Sequence, residues 1–370
     1  MIRSQRLAGR LHWNDHVRLS VCARLLILAL VFSTLFCHAP NAAFGFWSQG
    51  HHAIAVLAFE MLDAEDQVEL IRILKHHPRF GKDFTVPESI QGDVKATQRW
   101  WIGVAGEWPD LIRGNDSFDR PTWHYQLGAS VVIGDVKVPA DPGPLPKDAT
   151  LETRQLYIVQ AIELCKKVLV DRTQNDANRA IAICWLAHLV ADAHQPCHAG
   201  SLYSPVAFPD GDRGANSIPV KGQGQIRNLH AFWDSLLGSK ATPQSVSQRV
   251  MELRKKLKRE ELAEGKIVYS ITEKAAGDLR SEGLFPHLTS LSQDAAEWIE
   301  ESRVISSLLV YTAETLSLVS VVDRRISSDL DPVVLDNLHQ RTAMSVAEYR
   351  GAQGALRLNK LLDFRRKSSH

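Results

Sequence analysis

The sequence predicts an all-α fold, a mostly helical single domain with one or two short β-hairpins. Three observations predict it. Long stretches repeat apolar residues at three- and four-residue spacing, the period of a helix with one buried face. Strand-like alternation is confined to two short segments. No linker long enough to divide the chain follows residue 45, so residues 46–370 read as one domain. A hydrophobic share of 45% and a charged share of 23% are those of an ordinary globular protein.

Taken in order, residues 1–45 read as a signal peptide. Arg3, Arg6, Arg10, Arg18 and Arg24 precede the apolar run LLILALVFSTLFC (25–37), and Ala43 and Gly45 supply small residues for a cut before Phe46. The run is short for a membrane span. An uncleaved signal anchor is the other reading. Cleavage predicts an exported protein, periplasmic or secreted, with no stable membrane association and acting as a monomer. Helical periodicity then covers 52–77, with Asp63 as a cap that restarts the helix, and 150–171. Residues 178–195 are apolar nearly all round, the pattern of a buried central helix. Further amphipathic helices are predicted at 245–265, 290–316 and 335–366, and the charge run at 254–261 reads as a solvated helix face. The two hairpins are predicted at 128–138 and 216–229, between Gly- and Pro-rich loops.

The formal charge of +1 mixes two unlike parts. Without the first 45 residues, which hold five arginines and one aspartate, 38 basic residues face 41 acidic ones, a charge of −3. That balance excludes a protein that coats duplex nucleic acid by charge alone. Cys165, Cys184 and Cys197 then remain, an odd set with no paired spacing. One bridge and three buried thiols both stay open.

The stretch HLVADAHQPCHAG (188–200) carries the chemistry. His188 and Asp192 are four apart and share one helix face, Pro196 ends the helix, and His198 follows in the turn. NLHAFWDSLL repeats the spacing with His230 and Asp234. A carboxylate on so apolar a helix is costly to bury alone, and a metal ion offsets that cost. Asp110 sits behind a Trp-Pro pair and His124 between two aromatics; a Pro-Asp turn and a core histidine are the plain readings of each. FWSQGHH places histidines a few residues from the predicted mature terminus, where a free α-amine and its carbonyl can help chelate a metal.

The constellation resembles the secreted zinc-dependent single-strand-specific nucleases, or nuclease/3′-nucleotidases of the S-one/P-one type, which share a fold with zinc phospholipase C. The resemblance rests on Gly50-His51, Trp108-Pro109-Asp110, Trp123-His124-Tyr125, His188…Asp192…Gln195-Pro196-Cys197-His198, Gly214-Ala215-Asn216, and Asn228-Leu229-His230…Trp233-Asp234. It runs in order from Phe46 to Asp234, and the tail YRGAQGALRLNKLLDF resembles the family's closing helix. It implies a phospholipase C/nuclease-like fold and three zinc ions. Asp110, His124, His188 and Asp192 would hold the first. His198, His230 and Asp234 would hold the second. The Phe46 amine and carbonyl, His51 and a bridging Asp192 would hold the third. N and O donors suit zinc, and by ligand type manganese or iron as well. Three such ions and three aspartates leave a net charge of about +3, an anion site in an acidic body.

The resemblance further implies zinc-activated hydroxide attack on phosphorus, with Asp110 orienting the water. Substrates would be single-stranded DNA and RNA, cut to 5′-phosphate products, and 3′-nucleotides, which would lose phosphate. Tyr125 would stack a base, or else pack in the core; Asn216 would contact the base. Departures are Phe46 where the family usually has tryptophan, Ala215 in place of the second glycine, and QLG after Tyr125. His52 competes with His51 should the cut fall before Trp47. A zinc-dependent phospholipase C and an inactive zinc-binding protein are the alternatives; Asp234 favours the nuclease, and no ligand is missing.

Overall fold

A computed structural model describes residues 46–126, 128–261, 267–271, 292–325 and 329–363. The signal-peptide expectation lies outside them. Helix dominates, as predicted, and the described residues fall in one compact unit.

The predicted helix over 52–77 is two helices, α1 (Ser48–Glu60) and α2 (Ala64–Leu74). Asp63 restarts the chain as expected: its carboxylate accepts from the Asp66 amide at 2.9 Å. α3 (Val94–Leu111) is capped by Asp93 and carries Pro109 within its last turn. It crosses α1 closely because of two glycines. A Cβ on Gly103 would lie 2.5 Å from His52 Nδ1, and one on Gly106 would lie 2.9 Å from the His51 carbonyl. α4 (Ile158–Val170) begins eight residues after the predicted start, since residues 150–157 form turns held by Thr150, Thr153 and Thr122.

α5 (Asp176–Ala193) is the central helix. Every residue from Ala182 to Ala193 is buried, and α1, α2, α3, α4 and the last helix all pack on it. Trp185, Leu186, Leu189 and Val190 anchor it, each contributing ~1.5–3 kcal/mol of burial. Pro196 ends it as predicted, and a single 3-10 turn (Pro196–His198) follows. Beyond lie α6 (Leu229–Ser235), α7 (Pro243–Arg254), α8 (Ala295–Ile305) with its π-helical extension Ser306–Val310, α9 (Ala313–Arg325) and α10 (Asn337–Leu362). Among the described residues no single helix is long and apolar enough to cross a membrane.

The hairpin expected at 128–138 needs correction, whereas the segment 216–229 does fold back on itself, through an antiparallel bridge between Pro219 and Asn228 and a bond from the Val220 amide to the Arg227 carbonyl at 3.1 Å. β1 (Ala129–Val132) pairs in parallel with β2 (Ser201–Tyr203), and β3 (Val220–Lys221) pairs in parallel with a strand at Val333–Val334. The partner of β1 comes from the chain leaving the 196–198 turn, where Gln126 already donates to the His198 carbonyl at 2.9 Å. The charge run at 254–261 is no helix face either. α7 stops at Arg254, and β4 (Leu257–Glu261) pairs antiparallel with β5 (Ile267–Ile271), leaving Val333–Val334 as β6. Cys165, Cys184 and Cys197 are buried free thiols.

Candidate metal centre

The core delivers its polar residues to one place. α5 contributes His188 and Asp192, α3 contributes Asp110, and the 3-10 turn before Tyr125 contributes His124. α1 adds His51, the 196–198 turn adds His198, and α6 adds His230 and Asp234. Three groups of ligand atoms result: His51, His188 and Asp192; Asp110, His124 and His188; His198, His230 and Asp234. All are buried but Asp110, whose side chain is nearly so.

Backbone carbonyls fix the imidazoles. His188 Nδ1 donates to the Gly106 carbonyl at 2.8 Å, His198 Nδ1 to the His124 carbonyl at 2.5 Å, and His230 Nδ1 to the Gly214 carbonyl at 2.6 Å. Each bond leaves Nε2 as a lone pair directed at the cluster. His188 Nε2 stands 2.9 Å from His124 Nδ1 and 3.0 Å from Asp192 Oδ2, while His124 Nδ1 lies 3.1 Å from the same oxygen. His51 stacks on His188 with centroids 4.0 Å apart, its Nε2 3.5 Å from Asp192 Oδ1. His230 Nε2 is 3.4 Å from Asp234 Oδ2.

Electrostatics pull the groups apart. Burial, reinforced by His188, holds His51 well below the usual histidine range, and burial with Arg113 does the same to His124. Burial also lowers His188, but the carboxylates of Asp192 and Asp110 outweigh it and raise the net value. Asp192 is driven well down against its burial by His188 and His198. Burial raises Asp110 and pushes Asp234 well up.

His52, the competing ligand, is turned away. One residue along α1 rotates it onto Glu107, 2.7 Å from its Nε2, and against Trp100. Phe46 is fully buried, and the Trp47 amide donates to the Asp234 carbonyl at 3.0 Å, which seats the chain at 46–47 beside α6. Tyr125 is 37% exposed and stands edge-on to Tyr157 at 5.7 Å. It therefore sits at the surface and does not pack in the core. Asn216 is not drawn into the cluster: its amide donates to the Arg213 carbonyl at 2.9 Å.

Several contributors lie outside the expected ligand set, though Gln195 and Gly214 fall within the motifs that carry the resemblance. Gln195 Nε2 donates to Asp234 Oδ1 at 2.5 Å, and its Oε1 accepts from the Cys197 amide. Arg113 grips Asp110 Oδ1 through Nε and Nη2, at 2.8 and 2.7 Å; its three-residue offset along the chain is the one hint. Asp212, buried and raised to about 6 by that burial, accepts from the Leu202 amide and the Tyr311 hydroxyl and pins the 212–216 loop. Gly214 is required there: φ is 62°, and a Cβ would meet the Cys197 carbonyl at 2.1 Å. Beneath the end of α5, fully buried Arg350 and Arg357 share Glu301, and Arg357 donates to His194 Nε2 at 2.8 Å.

Residues 46–365 match the family described as S1/P1 Nuclease. Endonuclease 4 of Arabidopsis thaliana is 37% identical over 222 residues, 58% of this chain and 60% of the relative. Endonuclease 3 of the same plant is 25% identical over 229 residues, 59% of this chain and 64% of the relative. The chain thus spans roughly three fifths of the length of the curated relatives it matches. With a family match that covers nearly all of the described fold and every His/Asp group of the cluster, the chain belongs to the S1/P1 nuclease family.

Proposed function

We propose that this chain is an exported, zinc-dependent nuclease that hydrolyses phosphodiester bonds of single-stranded DNA and RNA, leaving 5′-phosphates, and removes phosphate from 3′-nucleotides. One observation carries the reading: imidazole lone pairs face one another and a carboxylate in a buried pocket. His51 Nε2 and Asp192 Oδ1, 3.5 Å apart, both lack any hydrogen-bond partner. Buried polar atoms without partners cost free energy, and a divalent cation among them removes that cost.

The donor set fits zinc. Asp110, His124, His188 and Asp192 would hold one ion, His198, His230 and Asp234 a second, and His51, Asp192 and the Phe46 backbone a third. Zinc there would supply Lewis-acid polarisation of the phosphoryl group and a water acidic enough to lose its proton near pH ~7. The chain's own residues do the positioning. Asp110, gripped by Arg113, orients the attacking water and holds its proton. The exposed ring of Tyr125 offers a face to an unpaired base, whereas a duplex keeps its bases stacked inside.

The test uses protein beginning at Phe46, with no tag at that end. Bound metal is counted, and acid-soluble nucleotide release is followed from single-stranded and duplex DNA. The expected result is about three zinc ions per chain, matching the three groups, with single-strand cleavage abolished by chelation and restored by zinc. Turnover of a choline phospholipid with no DNA cleavage would replace the nuclease reading with a phospholipase C.

A further inference from the structure

The chemistry proposed for the cluster makes no use of the polar group buried between α8 and α10. Arg350, Gln353 and Arg357 stand three and four apart on α10, so they share one face of that helix, and they meet Glu301 and Ser302 of α8. Ser302, Arg350, Gln353 and Arg357 are all fully buried.

The group ends on the last turn of α5. A helix leaves its final four carbonyls without intrahelical partners, here those of Val190, Ala191, Asp192 and Ala193. The chain just beyond satisfies three of them. The His194 amide donates to Ala191 and the Gln195 amide to Asp192, both at 3.0 Å, and His194 Nδ1 donates to Val190 at 2.6 Å. The Ala193 carbonyl is held from another helix: Ser302 Oγ donates to it at 2.7 Å.

Arg350 sets the direction of that donor. Its Nη2 donates to Ser302 Oγ at 2.8 Å, which leaves the one hydroxyl proton for Ala193. Its Nη1 is held by Glu301 at 2.5 Å and Gln353 at 2.6 Å, and its Nε lies 3.4 Å from the His194 carbonyl. Arg357 donates to His194 Nε2 at 2.8 Å and pairs with both oxygens of Glu301. Two guanidinium groups thus stand at the carboxyl end of α5, where the helix dipole favours cations. Buried arginines are a weak source of stability, because apolar residues of the same volume do as well.

We propose that Arg350, acting through Ser302, is a positioning residue for the metal centre. It clamps the backbone at Ala193 and His194, so that Asp192 before the clamp and His198 after it already face the cluster when metal arrives. The proposal rests on the reading that the cluster binds zinc. On that reading the clamped segment serves every position, Asp192 two of them and His198 the third. Loss of the clamp therefore weakens all the ions together, unlike loss of a partner to a single ligand.

The test titrates metal-free wild type, Ser302→Ala and Arg350→Met with zinc against a chromophoric chelator, and melts each metal-free protein. Neither substitution strands a buried charge: Ser302→Ala removes only a hydroxyl, and in Arg350→Met the Glu301 carboxylate keeps Arg357. Every zinc equivalent is expected to weaken about tenfold in both variants, the scale on which outer partners of metal ligands act. Amide exchange over residues 193–198 of the metal-free variants should quicken. The absorption spectrum of the cobalt-loaded protein should keep its shape, because the ligands are unchanged. Weakening confined to one equivalent, or a lower metal-free melt with wild-type zinc affinity, would overturn the proposal. Zinc bound equally by wild type and variants strikes out the clamp alone. No zinc bound by the wild type strikes out the metal reading and the clamp with it.

Discussion

Gln195 offers the sharpest test of how the buried cluster is tuned. It is fully buried and makes two bonds of 2.5 Å, donating to Asp234 Oδ1 and accepting from the Cys197 amide. Burial pushes the Asp234 carboxyl well up, and the Gln195 donor is what opposes it most. Gln195→Ala removes that donor. A hydrogen bond to a charged group is worth ~1.5–3 kcal/mol, so the ionised carboxylate loses about that much. If His198, His230 and Asp234 hold zinc as proposed, the loss passes into metal affinity as a factor of ~10–150. Metal-stripped protein would be titrated with zinc against a chromophoric chelator. One equivalent should weaken by that factor while the others keep their affinity. Gln195→Glu sharpens the comparison: it still accepts from Cys197 but sets a second carboxylate against Asp234, and should weaken the same equivalent further. Wild-type affinity for every equivalent in Gln195→Ala, with a normal melt, would refute the reasoning.

Two more expectations follow from other parts of the fold. His77 is held by burial at about 4, below its ordinary 6.5, so the stability it contributes is complete above pH 6.5 and drains as pH falls toward 4. That loss is on the order of 3 kcal/mol, and parallel urea titrations at pH 7 and 4.5 should show it in the wild type and not in His77→Asn; parallel losses in both chains would refute it. Gly214→Ala must place a methyl at φ 62° against the Cys197 carbonyl, which is expected to cost ~2–5 kcal/mol in thermal or urea unfolding. Ala215→Gly next door, at φ 65°, should be close to neutral, since relieved strain offsets a lost buried methyl.

Legibility in the sequence followed the range of each interaction. The apolar girdle of α5, its His188–Asp192 spacing and the stop at Pro196 are local patterns, and all three are visible in the letters. The Asp63 cap is local too. The parallel pairs were hidden because Ala129 meets Ser201 and Val220 meets Val333, partners that alternation within one segment cannot name. The 257–261 strand was hidden because its charged residues carry no period-two pattern. Carbonyls that orient imidazoles, on Gly106, His124 and Gly214, have no letter at all. Adjacent His51 and His52 look equivalent until a helix turns one toward Asp192 and the other toward Glu107.

Asp192 faces two groups at once, Oδ1 toward His51 and Oδ2 toward His124 and His188. If both groups hold metal as proposed, its two oxygens make the neighbouring positions interdependent, because both ions would rely on the same carboxylate. Damage then propagates unequally. Losing Asp234 would disable a single position, whereas losing Asp192 would dismantle two together. The cluster is less a row of separate seats than a branching tree, and Asp192 is its fork.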